Sequence, residues 1–178
     1  MTIIAWRAGF MASDSCWSSA GTQTVSMIKI KRLSSGSLLG SAGDNDGREM
    51  EALLDKIRDP AKLPTRQQLI ALKLSYEGLI AFPRGGVWLI ATGKVDDAGY
   101  PADDGDDMGV WPAATMGGYA ACGSGGDYAL SAMDAGATAY QAVEIACKRN
   151  IHCRAPVHVR KLFDDKHPAP GRGRARKT

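Results

Sequence analysis

Only four cysteines occur in the chain, Cys16, Cys122, Cys147 and Cys153, and no two of them form a CxxC pair. That spacing excludes the common zinc sites and is too sparse for a disulfide scaffold, so reduced, mostly buried thiols are expected. No apolar run approaches the roughly 18 residues that a membrane span needs. Nor does the N-terminus show a basic stretch followed by a long apolar one, the pattern of a signal peptide. A cytoplasmic protein with no membrane partner is the expectation. No internal repeat is visible, and the glycine-rich GSGG fits neither the Walker A spacing nor the dinucleotide fingerprint. Six aspartates stand among glycines in residues 96–107. Their order does not match an EF-hand loop and lacks its closing glutamate, so a solvated loop is the reading, with no metal and no cofactor.

What is present is an ordinary globular composition. Hydrophobic residues make up 44% and charged residues 23% of the 178, enough to bury one sizeable core and too apolar for a disordered chain. Residues 1–163 read as a single domain and residues 164–178 as an unordered basic tail. The last eleven residues, PAPGRGRARKT, carry four positive charges and no acid, and removing four from the formal +3 leaves −1 for the rest. The body thus offers no basic stripe that would extend the tail into a nucleic-acid surface, and nucleic acid is not expected as a partner.

Residues 2–6 and 10–13 are strand-like on either side of Arg7-Ala8-Gly9, a tight hairpin. Residues 26–33 and 37–42 form a second pair around Ser34-Ser35-Gly36. A helix follows, with N-cap oxygens in Asp44-Asn45-Asp46, apolar residues Met50, Leu53, Leu54 and Ile57 at helical spacing, and Pro60 as its stop. A short helix can open at Pro64-Thr65 and run to Leu72. Residues 77–82 and 86–91 make a further hairpin around Pro83-Arg84-Gly85. A short strand at 119–122 feeds a helix at 126–135, then a helix at 138–149 capped by Thr138, then a strand at 157–163. Grouped antiparallel strands with helices in consecutive pairs predict an α+β layered sandwich, two sheets packed together with helices outside.

The chemistry turns on Thr2. A hydroxyl nucleophile needs a base, and an N-terminal threonine carries its own, an α-amine with an unperturbed pKa of about 7.7–8.0. Removal of Met1 is the prerequisite, and a small residue at position 2 permits it. Otherwise Thr2 simply begins an edge strand. A lysine beside the threonine favours the neutral amine and needs a carboxylate to hold it. Lys29 and Asp14, on neighbouring predicted strands, can both face Thr2; the plainer alternatives are an exposed sheet lysine and a strand-end turn residue. Gly43, at a strand-to-helix junction, can present its N–H to an oxyanion. Ser124, at another such junction, can bond the α-amine, although a glycine-rich turn before a helix can also cradle phosphate.

The segments MTIIAWRAGFMASDS, KIKRL, SAGD and GSGGDYAL, in this order and spacing, resemble the proteasome β-subunit family and especially its HslV-like members. AVEIACKRNIHCRAPVHV falls where that family's closing helix and strand belong. The resemblance runs from Thr2 to about Leu162 with loop differences. It implies the N-terminal-nucleophile hydrolase fold, a four-layer αββα sandwich of two antiparallel sheets. It implies that Thr2 is the nucleophile, Lys29 the active-site lysine and Asp14 the aspartate that orients it. Gly43 is then the oxyanion glycine and Ser124 the serine beside the amine. Asn150 and Cys153 stand where proteasome subunits carry an aspartate and a serine, which is a departure. The aspartate loop and GVWP do not match closely.

The resemblance implies a self-compartmentalising threonine endopeptidase. It would hydrolyse unfolded polypeptides, self-associate into stacked rings, and have room for an ATP-dependent unfoldase that no motif specifies. Two other functions fit the residues. One is an N-terminal-nucleophile amidohydrolase acting on small amides; the other is a catalytically silent, ring-forming structural subunit.

Overall fold

The computed structural model describes residues 2–19, 22–25, 27–43, 48–72, 75–93, 109–113, 118–164 and 167. In chain order the elements begin with strands β1 (Ile4–Arg7), β2 (Phe10–Ser13), β3 (Cys16–Ser19), β4 (Thr22–Val25), β5 (Ile30–Arg32) and β6 (Leu38–Gly43). Helix α1 (Arg48–Leu54), a short 3-10 turn (Pro60–Lys62) and helix α2 (Arg66–Ala71) follow. Strands β7 (Tyr76–Phe82), β8 (Gly86–Ala91), β9 (Gly109–Pro112) and β10 (Tyr119–Cys122) come next. The last elements are α3 (Gly126–Asp134), α4 (Ala139–Arg149) and β11 (His158–Lys161).

Two antiparallel sheets are stacked, one in the order β10-β1-β2-β11 and the other β5-β6-β7-β8-β9, with β3 and β4 as a separate ribbon. Helices α3 and α4 cover the outer face of the first sheet, and α1 and α2 cover the second. This is the expected αββα layering. The three predicted strand pairs are all present: β1 pairs with β2 from Ile4↔Ser13 to Arg7↔Phe10, β5 with β6, and β7 with β8. Positive φ at Ala8 (50°) and Gly9 (85°) gives the first turn the twist that a two-residue hairpin requires.

Strand alternation explains why the first strand reads as an unbroken apolar run. Ile4 and Trp6 point between the sheets, whereas Ile3 and Ala5 point at α3 and α4, so both faces of β1 are buried. Burying Ile3 and Ile4 completely stabilises the fold by about 2 kcal/mol each. The sheets meet tightly at Gly40, where an added Cβ would stand 2.5 Å from Ile4 Cγ2 and 2.8 Å from Met11 Sδ. Behind the second sheet, Met50, Leu54, Leu69, Tyr76, Ile80 and Ile90 form the other helix-facing core.

Several boundaries differ from expectation. Residues 27–29 are not strand, so β5 begins only at Ile30 and Lys29 lies just before it. The ribbon β3–β4 and strand β9 were not expected. CWSS and TQTV offer little apolar alternation, and the two strands pair only with each other. The last strand is shorter than 157–163. Helix α4 begins at Ala139 with a full capping box: Thr138 Oγ1 accepts from Gln141 N, and the Gln141 side chain accepts from Thr138 N. Thr65 and Gln68 make the same box on α2. The N-cap proposed at residues 44–46, the aspartate loop at 96–107, Met1 and the tail from residue 168 lie outside the described residues. All four cysteines are free; three are buried and Cys147 is half-buried. Among the described residues no helix is long and apolar enough to cross a membrane.

Candidate active site

Thr2 leads into β1 and is 4% exposed. Asp14 follows the last residue of β2, and the β1–β2 hairpin therefore sets the two side by side. Thr2 Oγ1 donates to Asp14 Oδ1 at 2.7 Å. Lys29 approaches from the other sheet, just ahead of β5, and its Nζ donates both to Thr2 Oγ1 and, at 2.7 Å, to Asp14 Oδ1. Lys29 and Asp14 are thus not neighbours within one sheet, as the strand assignment suggested. They face each other across the interface between the layers.

A carboxylate removed from water must be paired and fully hydrogen-bonded, or its burial is costly. Asp14 is completely buried and meets that condition. Its Oδ1 accepts from Thr2 Oγ1, Lys29 Nζ and, at 3.0 Å, from Ile3 N. Its Oδ2 accepts from Cys16 N at 3.0 Å and Arg154 N at 3.2 Å. These main-chain donors come from the residue that precedes β1, from β3 and from the segment between α4 and β11. Three separated stretches therefore fix the one carboxylate that fixes Lys29.

The backbone of Thr2 is held as tightly. Its carbonyl accepts from Ser124 Oγ at 3.3 Å and from Gly125 N at 3.4 Å. Ser124 is exposed and reaches the Thr2 carbonyl in this structure, whereas the sequence reading had aimed it at the amine. Gly123 has φ +89°, and a Cβ on it would lie 2.3 Å from Thr2 O. A Cβ on Gly125 would meet Cys153 Sγ at 2.9 Å and Ile3 Cβ at 3.1 Å. Gly123 is therefore required by the approach of the Thr2 carbonyl, and Gly125 by the packing of Cys153 and Ile3. Gly43 ends β6 opposite Tyr76 of β7, in the sheet that packs on β1.

Thr2, Asp14, Lys29 and Ser124 are thus brought together. The amides of Cys16 and Arg154 were missed, since a backbone N–H leaves no mark in a sequence. Two thiols flank the cluster. Burial, and next the charge of Asp14, push Cys147 up to about 11 and Cys153 up to about 12, so both stay protonated near neutrality. Chemically the site offers a hydroxyl with an ammonium against its oxygen, an arrangement that favours a developing alkoxide.

No family model matches the chain, and no curated protein matches it. Solved structures do. Thiobacillus denitrificans BPH, a bacterial proteasome homologue, is 20% identical with a TM-score of 0.58, over 92% of this chain and 99% of that one. The same protein in complex with epoxomicin gives 19% and 0.57 over the same shares. HslV from Trypanosoma brucei is 18% identical with a TM-score of 0.57, over 89% of this chain and 97% of that one. The fold, with two stacked antiparallel sheets between helix pairs, is therefore an HslV/proteasome-like N-terminal-nucleophile hydrolase fold.

Proposed function

We propose that this chain is a threonine-type endopeptidase that acts on unfolded polypeptides inside a ring of its own copies. The observation that carries the proposal is the contact of Lys29 Nζ with both Thr2 Oγ1 and Asp14 Oδ1 in a buried setting. A structural threonine at the start of a strand has no need of a buried ammonium. The neighbours, an HslV and a proteasome homologue, support the same reading.

Met1 is first removed, which frees the α-amine of Thr2. Thr2 Oγ1 then attacks the peptide carbonyl while that amine takes its proton. The Lys29 ammonium stabilises the negative charge building on Oγ1, and the Gly43 N–H donates to the tetrahedral oxyanion. Collapse breaks the C–N bond, and the protonated amine of Thr2 gives its proton to the leaving nitrogen. The acyl ester on Thr2 is hydrolysed by water, with the amine again as base and Oγ1 recovering a proton. Asp14 keeps Lys29 in place throughout. Ser124 and Gly125 hold the Thr2 carbonyl and so orient the residue that is both nucleophile and base.

The test is turnover of an unfolded protein and of fluorogenic peptides by the wild-type chain and by Thr2→Ala, with intact mass to read Met1. The proposal expects Met1 absent, turnover inhibited by epoxomicin, and turnover abolished in Thr2→Ala with assembly intact. Undiminished cleavage by Thr2→Ala, or a wild-type chain that retains Met1 and cleaves nothing, would sink it.

A further inference from the structure

Arg154 has its backbone in the site and its charge outside it. Its N–H donates to Asp14 Oδ2 at 3.2 Å, and its carbonyl accepts from Ser15 N at 2.9 Å. Ser15 Oγ donates to the carbonyl of Pro156, two residues further on. The residue is thus clamped at both its amide and its carbonyl. Only the Asp14 carboxylate separates its backbone nitrogen from Thr2 Oγ1. The side chain is held by nothing comparable. Arg154 is exposed, and among the described residues its guanidinium has neither a carboxylate nor a carbonyl partner.

The charge along this stretch has one sign. Residues 145–163 contain Lys148, Arg149, Arg154, Arg160 and Lys161, two histidines and no acid, and all five cations are exposed. Of the acids on the neighbouring helices, Asp134 and Glu144 each accept from a tyrosine hydroxyl, Tyr119 and Tyr140, and Asp127 opens α3. Asp14 itself is paired with Lys29. An anion arriving beside Thr2 therefore meets an unpaired guanidinium on a fixed base.

We infer that Arg154 is a specificity-determining residue: its guanidinium receives a carboxylate of the bound polypeptide near the scissile bond, so that acidic segments are the favoured substrates. The inference rests on the peptidase reading above and names the substrate class for that site. A guanidinium stays charged at every working pH, and its planar fork matches the two oxygens of a carboxylate. Because the backbone of Arg154 is already fixed, binding has to order one side chain and no loop. The carboxylate can belong to an Asp or Glu side chain or to the free C-terminus of a short peptide; the contact is the same.

The test compares quenched fluorogenic peptides that differ only by Glu against Gln, scanned through the positions on either side of the cleaved bond, and by a free against an amidated C-terminus. At about 20 mM salt the wild-type chain should show a kcat/KM about three- to fivefold higher for the acidic member at one or more positions, the range of an exposed ion pair. KM should carry the difference, since the contact is made equally before and in the transition state. Raising salt to about 500 mM should bring the ratio close to one. Arg154→Gln should do the same at low salt, and the ratio is the readout whatever happens to either rate. The position scan and the C-terminal pair show which source of carboxylate is received.

Equal cleavage of every acidic and neutral pair by the wild-type chain overturns the inference. So does a preference that Arg154→Gln keeps, or one that salt does not move. Should Arg154→Gln fail to fold, Arg154→Met, which keeps the apolar stem, carries the same comparison, and the salt dependence of the wild-type chain needs no variant. Should the wild-type chain cleave nothing, the peptidase reading fails separately. Fluorescence anisotropy of the same labelled peptides, with and without Arg154→Gln, then decides whether this surface receives a carboxylate.

Discussion

The buried Asp14–Lys29 pair makes two demands of the chain, one for stability and one for chemistry, and substitutions separate them. Lys29→Met leaves Asp14 buried with main-chain partners and the Thr2 hydroxyl but no counter-charge. A denaturant titration should show a loss of about 3 kcal/mol, the usual range for breaking a buried ion pair, together with loss of turnover. Gly123→Ala forces a side chain into a positive-φ residue whose Cβ position lies 2.3 Å from Thr2 O. Strain of about 1–3 kcal/mol is expected, and so is a fall in kcat as Thr2 is pushed out of line. The thiols give a pH signature. Cys147 and Cys153 are raised from 9.0 to about 11 and about 12, so the folded chain keeps protons that the unfolded chain sheds above about pH 9. Their contribution to stability is complete below that pH and is lost as pH rises toward 11–12. The thermal midpoint should decline through that window, and less steeply in Cys147→Ala.

At the scale of elements, local signals that the backbone itself demands were legible, and those set by partners were not. The capping threonine of α4, the turn at Ala8-Gly9 and the strand YAAC follow from residue types alone. Thr138→Ala should therefore cost about 1 kcal/mol, lowering the thermal midpoint by about 2–4 °C. The ribbon of β3 and β4 escaped notice because two short polar strands that pair only with each other need no alternating pattern. Lys29 was assigned to a strand because KIKRL alternates, yet the chain leaves the sheet one residue earlier to bring the ammonium across to Asp14. Thr2, Asp14 and Lys29 were singled out through the resemblance of MTIIAWRAGFMASDS and KIKRL to the proteasome β-subunit family, since the residues alone left an edge-strand threonine, a turn aspartate and an exposed lysine open. What fixes them was not: the Ile3, Cys16 and Arg154 amides are anonymous in a sequence, and the Ser124–Thr2 link spans 122 residues.

For the whole molecule, the outer helix layer is where several large apolar side chains stand exposed. Tyr128 on α3 and Tyr140 and Ile145 on α4 are 44%, 43% and 38% exposed, beside Ile151 at 70%. If copies of the chain close into a ring through this layer, Ile145→Glu should shift sedimentation toward monomer without altering the far-UV dichroism. Turnover of long polypeptides should fall with it. The site also has a consequence for how the chain assembles it during synthesis. Thr2, Asp14 and Lys29 leave the ribosome early, within the first 29 residues, but Ser124, Gly125 and Arg154 emerge well after them. A nascent chain thus holds its reactive residues without the frame that aligns them. On the peptidase reading proposed above, cleavage has to wait for that later part of the chain.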